Sequence, residues 1–590
     1  MHRWSAPDVK PGLLITWLIV LALAVGFVDA QVSLPTPSGT LNPKVPLEAR
    51  EIGRYGGTLV VAQLGDPRTF NPIVAQETSS TDVLRPMFDG LLEQNYISGE
   101  LEPALAETWT VSVDGRAWTF TLREGVQWSD GSPLTIDDVL FTLDAVFTDG
   151  VQTALRDPLM IDGKSIRYRK LDDRRVQFTT ERPAGLFLRL IATLPIVPKH
   201  KLAAALGKGG TEFNKAWDVH SDLSEIVGTG PFVLDSYVAG ERVTYLRNGR
   251  HWKVDGKGNR LPYLTRYVRL VVPTQDTQRL KFLAKETDLY AARPREFADL
   301  KRSERTGNYS VQDGPEALGA EFLVLNQNPA AVTPPKLTWF QDVQFRRAIN
   351  YAINRGAIVQ QVYAGRATPA WGPLSPADKP YVYPNLPQSP YDLNRALQLL
   401  AEAGYQKDPD GLLRDARGEI VEFVLSTSLG NPEREAIGNI LRQDFTSLGI
   451  RVAFSPEGLN TLIGKLVGTH RWEAMIIGLA GAIEPAVGSR NVWMSSGALH
   501  MWHPEQEKPA TDWEAEVDRL FDEIGREVDP GKRTQLYYRW QEIIALQMPL
   551  MFFAYPKTQT AVRNTLGNVK PGLNGAIGEL ATLYSKSSSR

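Results

Sequence analysis

The sequence contains no cysteine among its 590 residues. This absence excludes disulfide bonds, thiolate metal ligands and a cysteine nucleophile. It also excludes the lipid-modified cysteine that tethers many exported proteins to a membrane. The folded body must therefore be stabilised by core packing alone, and 43% hydrophobic residues in a chain of this length can supply large cores.

The chain also has little net charge, since 65 Lys and Arg face 67 Asp and Glu. A net charge of -2 gives no general attraction to nucleic acid or anionic lipid. We therefore expect no nucleic-acid partner, and the length predicts roughly two to four domains.

Recognisable catalytic signatures are missing as well. The sequence has no phosphate loop, no dinucleotide fingerprint and no G-x-S-x-G nucleophile motif. His500 and His503 form an H-x-x-H pair, but no glutamate follows the first histidine, no third ligand is evident, and Pro504 indicates a loop. We therefore predict no bound metal, no cofactor and no enzymatic activity.

The first residues differ in kind from the rest. Arg3 and Lys10 precede an uncharged, apolar run from residue 11 to residue 28, and small Ala30 follows shortly after. This pattern predicts a signal peptide over residues 1–30, cleaved before Gln31, and a soluble periplasmic protein. The alternative is an uncleaved membrane anchor, because the apolar run is at the lower limit for spanning a bilayer. Residues 31–54 contain four prolines and predict an extended leader.

The first part of the body is predicted to be rich in strands. Residues 109–113 and 117–122 alternate large and polar side chains around Asp114-Gly115, a dipeptide that favours a hairpin turn. Thr135, with Asp138 three residues later, predicts a capped helix start. Further strands are predicted at residues 58–62, 232–237, 243–246 and 267–272.

The pattern changes near residue 341. Phe345, Ala348, Ile349 and Ala352 lie at helical spacing. Further helices are predicted at residues 393–403, 437–448 and 532–547, and short strands at 423–426, 474–477 and 550–555. Helices that alternate with short strands predict an α/β lobe, and the final strand could rejoin the first part of the chain.

Fourteen tryptophans raise the question of a stacking site. Trp109 and Trp118 lie within strand alternation and are predicted to be core residues. Trp371, Trp493 and Trp502 lie in segments rich in Gly, Ser and Pro, where no regular face would bury them. Loop aromatics of this kind often face a ligand, so these three are candidates for a binding site.

Three segments resemble the solute-binding proteins of peptide, nickel and related ABC importers. They are LEPALAETWTVSVDGRAWTFTLREGVQWSDGSPLTIDDVLFTL (101–143), GTGPFVLDSYVAGERVTYLRNGRHW (228–252) and FQDVQFRRAINYAINRGAIVQQVYAGRATPAWGPL (340–374). They occur in the order and approximate spacing of that family, and the resemblance extends from about residue 55 to residue 569.

The resemblance implies an α/β, two-lobed periplasmic-binding-protein fold of class II. Lobe I would cover residues 55–320, with an extra subdomain at about 85–225 that contains the tryptophan-rich hairpin. Lobe II would cover residues 321–547, and residues 548–590 would return to lobe I. The chain would cross between the lobes near residues 318–326 and 548–555.

The resemblance also implies a function. The protein would be the monomeric, non-catalytic receptor of an ABC importer, binding peptides between its lobes by hinge closure and delivering them to a membrane permease. The alternatives are an oligosaccharide or a metal chelate as the solute, an exported hydrolase on the same scaffold, and a membrane-anchored sensor.

Dipeptide-binding relatives place an aspartate against the ligand's amine and an arginine against its carboxylate, and this sequence departs from that pattern. In GLAGAIEP (478–485), Ala482 occupies the first aspartate position and only Glu484 keeps an acid. At the arginine position the best match is Ser428, with Arg434 farther along.

The resemblance adds two candidates to the three tryptophans. Glu484 is a candidate acceptor for an amine or hydroxyl, and Thr78 lies where relatives line the cleft from lobe I. We expect Glu484→Gln and Trp493→Ala each to weaken ligand binding without a large loss of stability.

Overall fold

The structure is a computed structural model that describes residues 31–32, 51–161, 163–379, 381–573 and 575–586. The predicted signal peptide and most of the predicted leader lie outside the described residues. Within the described ranges, no helix combines the length and the apolar character needed to cross a membrane.

Four larger sheets organise the described part of the chain, and we name each by its place. The subdomain sheet has the order Gln31–Val32, Ala106–Ser112, Ala117–Leu122, Arg175–Thr179, Arg167–Lys170. The lobe I sheet has the order Phe232–Val238, Arg242–Arg247, Arg266–Val271, Thr58–Gln63. The hinge sheet has the order Leu289–Ala291, Ala554–Arg563, Tyr309–Glu316, and Ala367–Pro369 also pairs with its central strand. The lobe II sheet has the order Arg451–Glu457, Glu422–Ser428, Ala474–Leu479, Ala320–Leu325, Leu550–Phe552.

The predicted hairpin at Asp114-Gly115 is confirmed. Strand Ala106–Ser112 pairs antiparallel with Ala117–Leu122, and Val111 lies opposite Trp118. Gly115 has a φ of 65°, a conformation that glycine adopts without steric cost. Trp109 and Trp118 are buried, as the alternation predicts.

The predicted helix start at Thr135 is confirmed as well. Helix Ile136–Phe147 begins with a capping box, in which the Thr135 amide donates to Asp138 Oδ2 at 2.9 Å. The other oxygen, Asp138 Oδ1, accepts a hydrogen bond from the Lys199 amide at 2.9 Å. Both carboxylate oxygens of Asp138 are therefore engaged in structure.

Helices cover both lobes. Those of lobe I and its subdomain are Thr78–Leu84, Ile136–Phe147, Phe187–Ile191, Lys199–Leu206, Gly210–Lys215, Gln275–Leu283 and Phe297–Gly307. Those of lobe II are Lys336–Gln341, Val343–Tyr351, Arg355–Ala357, Leu393–Glu402, Pro432–Ser447, Leu459–Gly464, Pro485–Gly488, Arg490–Trp493, Asp512–Arg526 and Pro530–Gln547. The predicted strands and helices are thus confirmed, with two differences: the helix predicted at 437–448 begins at Pro432, and the strand predicted at 550–555 is divided between two strands, Leu550–Phe552 and Ala554–Arg563.

The lobe II sheet is buried on both faces. Along strand Ala320–Leu325, Leu323 and Leu325 pack into one hydrophobic cluster, whereas Phe322 and Val324 pack into another. A strand that is covered by helices on both faces has a continuous apolar sequence, and residues 322–325, Phe-Leu-Val-Leu, are such a run. Lobe I has a separate core, built around the lobe I and subdomain sheets.

Two direct connections join a strand of the hinge sheet to a strand of the lobe II sheet. Strand Tyr309–Glu316 belongs to the hinge sheet and strand Ala320–Leu325 to lobe II. On the return, Leu550–Phe552 pairs with the lobe II strand and Ala554–Arg563 with the hinge sheet. The start of the predicted 550–555 strand therefore belongs to lobe II, because Leu323 faces Met551. The residue ranges predicted for the lobes stay a prediction.

Candidate functional site

A cavity of about 110 Å³ opens in lobe II beside the two chain crossings. Its walls are mainly apolar, and small residues from the GLAGAIEP segment form part of its rim. The lining residues are Leu318, Gly319, Ala320, Phe322, Pro373, Leu374, Asp378, Leu479, Ala480, Gly481, Ala482, Pro485, Gly488, Ser489, Val492, Trp493, Leu499, Trp540, Leu550 and Phe552. We call it the hinge-side cavity.

Two of the predicted site residues are accessible or partly so. Thr78 is exposed and begins the helix Thr78–Leu84 on lobe I. Trp371 is half-buried and follows the strand that joins the hinge sheet. The guanidinium of Arg355 lies over the Trp371 ring, 4.7 Å from its centre. This contact fixes one face of the indole through a cation–π interaction.

The expectation that Trp493 and Trp502 are exposed loop aromatics is wrong. Trp493 is 4% exposed and ends the short helix Arg490–Trp493, with its ring packed edge-on against Trp540. Trp502 is 1% exposed and donates its indole N–H to Glu514 Oε1 at 2.9 Å. Irregular backbone packed over a sheet can bury large rings without any repeating pattern, so sequence periodicity does not reveal it. Trp493 nevertheless lines the hinge-side cavity, whereas Trp502 lies outside its lining.

His500, the first histidine of the H-x-x-H pair, is part of the same packing. His500 is buried, and its ring nitrogens contact the Val492 carbonyl and Glu514. Glu514 accepts several such hydrogen bonds, which outweigh its burial and hold its pKa near 2. Across the residues that the structure describes, no group of three His, Asp or Glu side chains could hold a metal ion.

Glu484 is not at the surface; it is only 3% exposed. The Tyr381 hydroxyl donates to Glu484 Oε2 at 2.5 Å, and the Tyr537 hydroxyl donates to Oε1. Burial, together with this carboxylate, raises the pKa of both tyrosines. The predicted role of Glu484 as a ligand acceptor stays a prediction, but the protein itself already supplies a donor to each oxygen.

The same carboxylate links the two lobes. Arg189, from the subdomain helix Phe187–Ile191, lies 3.7 Å from Glu484 Oε2, and Arg533 of lobe II lies 3.9 Å from Oε1. Burial would lower the pKa of Arg533, but the Glu484 carboxylate outweighs it and the pKa is raised. A buried charge needs such partners, since an unpaired one costs several kcal/mol, roughly.

Backbone contacts between the lobes surround this ion cluster. The Gly185 amide donates to the Gly525 carbonyl at 2.9 Å, and Arg533 donates to the Gly185 carbonyl at 3.1 Å. A Cβ at Gly185 would come within 1.8 Å of the Glu527 carbonyl oxygen, so only glycine fits this approach. The subdomain and lobe II therefore meet at a closely fitted contact.

Arg434, which lies six residues after Ser428, already has a partner. Its guanidinium donates to both carboxylate oxygens of Glu321, at 2.7 and 3.2 Å. It also donates to the Ser428 hydroxyl at 3.2 Å. A bidentate pair of this kind occupies the geometry that a ligand carboxylate would need.

Asp378 was not singled out by the sequence. It is 1% exposed, its Oδ2 accepts from the Ser375 amide at 3.0 Å, and it lines the hinge-side cavity. Burial, aided by the nearby Glu484 carboxylate, raises the pKa of Asp378 to about 8. Nothing in the run Ser375-Pro376-Ala377-Asp378 distinguishes this acid from an ordinary turn residue.

A larger cavity, about 570 Å³, lies within lobe I rather than beside the crossings. Its main charged groups bind one another, because Lys253 contacts Glu93 at 2.6 Å and Glu579 at 3.6 Å. Burial, which the Lys253 ammonium only partly offsets, raises the pKa of Glu93 to about 7. We therefore take the hinge-side cavity and the surfaces at the crossings as the candidate site.

Comparison with known proteins gives consistent results. The family model described as bacterial extracellular solute-binding proteins, family 5, matches residues 100–498. A probable ABC transporter-binding protein of Deinococcus radiodurans is 28% identical, over 88% of this chain and 89% of that protein. Di/tripeptide-binding protein 1 of Pseudomonas aeruginosa is 26% identical, over 87% of this chain and 91% of that protein. The solved structure of the oligopeptide-binding protein AppA of Bacillus subtilis in complex with a nonapeptide matches with a TM-score of 0.66 and 24% identity, covering 91% of this chain and all of that one.

Proposed function

Because the chain belongs to the bacterial extracellular solute-binding proteins of family 5, we propose that it is the receptor of an ABC importer for peptides. It binds a peptide between its two lobes, closes around it and presents it to a membrane permease. It acts in the periplasm as a monomer, after removal of residues 1–30, and it performs no chemistry on its ligand.

The two direct strand-to-strand connections between the hinge sheet and the lobe II sheet are the observation that carries this proposal. These connections, at residues 317–319 and at Phe553, are short, and the cores of lobe I and lobe II are packed separately, which is the arrangement that a hinge between two lobes requires. A ligand that contacts both lobes only when they are together shifts the population toward the closed form. The permease then reads the closed form.

The peptide assignment is supported by relatives that are named for peptides. The charges at the site favour peptides that are not held by a tight clamp at each end. Ala482 stands at the first acid position of GLAGAIEP, and Arg434 is neutralised by Glu321. Ligand contact would then rest on the backbone and side chains of the peptide rather than on its charged ends.

The predicted contact residues divide by position. We propose Thr78 and Trp371 as contacts from the accessible surfaces and Trp493 as a wall of the hinge-side cavity. Trp502 supports Trp493 from behind, since the two ring centres are 6.1 Å apart. Glu484 holds the lobes and their tyrosines in place and influences binding indirectly.

The test is mass spectrometry of the solute that the protein carries through gentle purification. Denaturation releases the solute, and protein that was unfolded, dialysed and refolded serves as the blank. A mixture of short peptides above the blank is the expected result. A sugar or a metal chelate would overturn the peptide assignment but keep the receptor. A purified protein that carries nothing, binds no peptide mixture and cleaves peptides or esters would overturn both.

A further inference from the structure

The hinge-side cavity combines two features that rarely occur together. Its walls include the rings of Phe322, Trp493, Trp540 and Phe552, all buried in the second lobe II cluster. Asp378 also faces this apolar space. A carboxyl group in such surroundings is costly to keep charged, so its presence in the wall calls for an explanation.

One oxygen of Asp378 is engaged and the other is not. Oδ2 accepts from the Ser375 amide at 3.0 Å, whereas the buried Oδ1 has no hydrogen-bond partner among the residues that the structure describes. Buried polar atoms are usually paired, so an unpaired one needs an explanation, and a ligand that supplies the partner is one such explanation. This observation is independent of the shape of the cavity.

We propose that the hinge-side cavity is a specificity subsite that takes a compact branched aliphatic group and hydrogen-bonds an adjacent acceptor oxygen of the ligand through the Asp378 carboxyl. This inference rests on the proposed receptor function and names the part of the ligand that one end of the cleft selects. A leucine-like side chain next to a peptide carbonyl has this chemistry.

The protonation state of Asp378 gives the hydrogen bond its direction. Because its pKa is about 8, the carboxyl is mostly protonated at pH 7. Oδ2 already accepts a hydrogen bond, so Oδ1 is the oxygen that can carry the proton and donate it. A carbonyl oxygen therefore suits the subsite, whereas an ammonium group would first require Asp378 to lose its proton.

The size of the space sets the size of the group. An apolar protein cavity of about 150 Å³ holds benzene. The hinge-side cavity, at about 110 Å³, is smaller and suits a branched group of about four or five carbons. Two of the lining residues are not buried, since Gly481 is exposed and Ala482 is half-buried, so this part of the cavity lining reaches the protein surface.

The test uses a small probe in place of the unidentified solute, so that it does not depend on the receptor's full ligand. The probe is 4-methylpentan-2-one, which has a branched aliphatic group and can only accept hydrogen bonds. Protein labelled with 5-fluorotryptophan is titrated and observed by fluorine NMR, and the Trp493→Phe variant assigns the Trp493 signal. The expected result is a saturable shift of the Trp493 signal at pH 6.5.

Variants and pH then isolate the role of Asp378. Asp378→Ala should weaken probe binding by about three- to tenfold, whereas Asp378→Asn, which keeps a donor, should stay within about twofold. Asp410→Asn, a change at an exposed acid of the same lobe, is the matched control and should have no effect. Between pH 6.5 and pH 9.5 the affinity of wild-type protein for the ketone should fall, and that of Asp378→Asn should not.

Each outcome decides the subsite separately from the receptor function. No saturable shift of Trp493, or binding that is equal in wild-type and Asp378→Ala protein, would overturn the subsite. Affinity for the ketone that rises with pH would overturn the direction of the hydrogen bond. If these tests fail, the receptor proposal still stands or falls on the mass spectrometry of the released solute. If Asp378→Ala does not fold, the contrast between wild-type and Asp378→Asn protein across pH still decides the question.

Discussion

Glu484 and Asp378 are both buried acids of lobe II, at 3% and 1% exposure, yet their surroundings are opposite. Glu484 accepts from two tyrosine hydroxyls and lies within 4 Å of two arginines. Asp378 accepts one backbone amide and has no ion pair among the described residues. The comparison teaches that burial alone does not define the role of an acid. The hydrogen-bond donors and cations around the carboxylate decide whether it stabilises the structure or keeps an oxygen that a ligand could bind.

The two acids are also connected. The Tyr381 hydroxyl donates to Glu484, while the Tyr381 amide donates to the Asp378 carbonyl oxygen at 2.8 Å. The negative charge of Glu484 also contributes to the raised pKa of Asp378. The paired carboxylate thus helps to keep its neighbour protonated.

The largest expected effect is at Glu484. Glu484→Gln keeps the shape of the side chain but leaves Arg189 and Arg533 without their shared anion, so the free energy of unfolding should fall by about 3–5 kcal/mol. Chemical denaturation measures it, with the exposed Glu507→Gln as the control. A loss below about 1 kcal/mol would show that the cluster does not stabilise the fold. This expectation replaces the one drawn from the sequence, which foresaw no large loss of stability.

Asp378→Asn, also an acid-to-amide substitution, should raise the free energy of unfolding rather than lower it. The folded pKa of about 8 lies above the unfolded value of about 4, so the stability contribution of the protonated acid is complete below pH ~4 and is lost as pH rises through about 8. Asp378→Asn never ionises and still accepts from the Ser375 amide, so it should stabilise the protein by about 2–4 kcal/mol at pH 7.

Denaturation curves across pH check this prediction. The gain in the Asp378→Asn variant should be small at pH 4, grow through neutral pH and level off above pH ~8. A gain that does not change with pH would contradict the raised pKa. Destabilisation by both amide substitutions would remove the contrast between the two acids.

Local sequence patterns account for much of the fold and little of the site. The hairpin at Asp114-Gly115 and the helix start at Thr135 depend on residues a few positions apart, and a pattern can capture them. The partners of Glu484 lie 103, 53 and 295 residues away, at Tyr381, Tyr537 and Arg189. Only tertiary packing brings such residues together.

The tryptophans show the same limit. Trp493 and Trp502 lie in short or irregular segments, so no periodicity reveals that they pack on Trp540 and Glu514. Trp493 is buried, contrary to the expectation, but it still lines the hinge-side cavity. The Asp378 position carries no pattern at all, because an unpaired buried oxygen is a property of its surroundings and not of its neighbours in sequence.

Arg189 tests whether the Glu484 cluster holds the lobes together. Arg189→Met keeps much of the apolar stem but removes the subdomain cation, so the contact between the subdomain and lobe II should weaken by about 1 kcal/mol. Ligand affinity should then fall a few-fold, because the competent population is smaller. Small-angle scattering should show a larger radius of gyration without ligand. Arg167→Met, an exposed arginine of the same subdomain, is the control and should change neither quantity.

The smallest expected change in the free energy of unfolding is for a substitution at Glu321, the partner of Arg434. The same substitution tests whether Arg434 can bind the C-terminal carboxylate of a peptide. The Arg434–Glu321 pair is partly exposed, with side chains 14% and 23% accessible, so Glu321→Gln should alter the free energy of unfolding by less than about 1 kcal/mol. It should, however, release the Arg434 guanidinium for a carboxylate. Calorimetric titration should then show a few-fold gain in affinity for a peptide with a free C-terminus over its amidated form, a preference that the wild-type protein lacks. If both proteins show the same preference, Glu321 does not mask Arg434. The availability of Arg434 would then not depend on the Glu321 carboxylate, in contrast to Arg189 and Arg533, which share the Glu484 carboxylate.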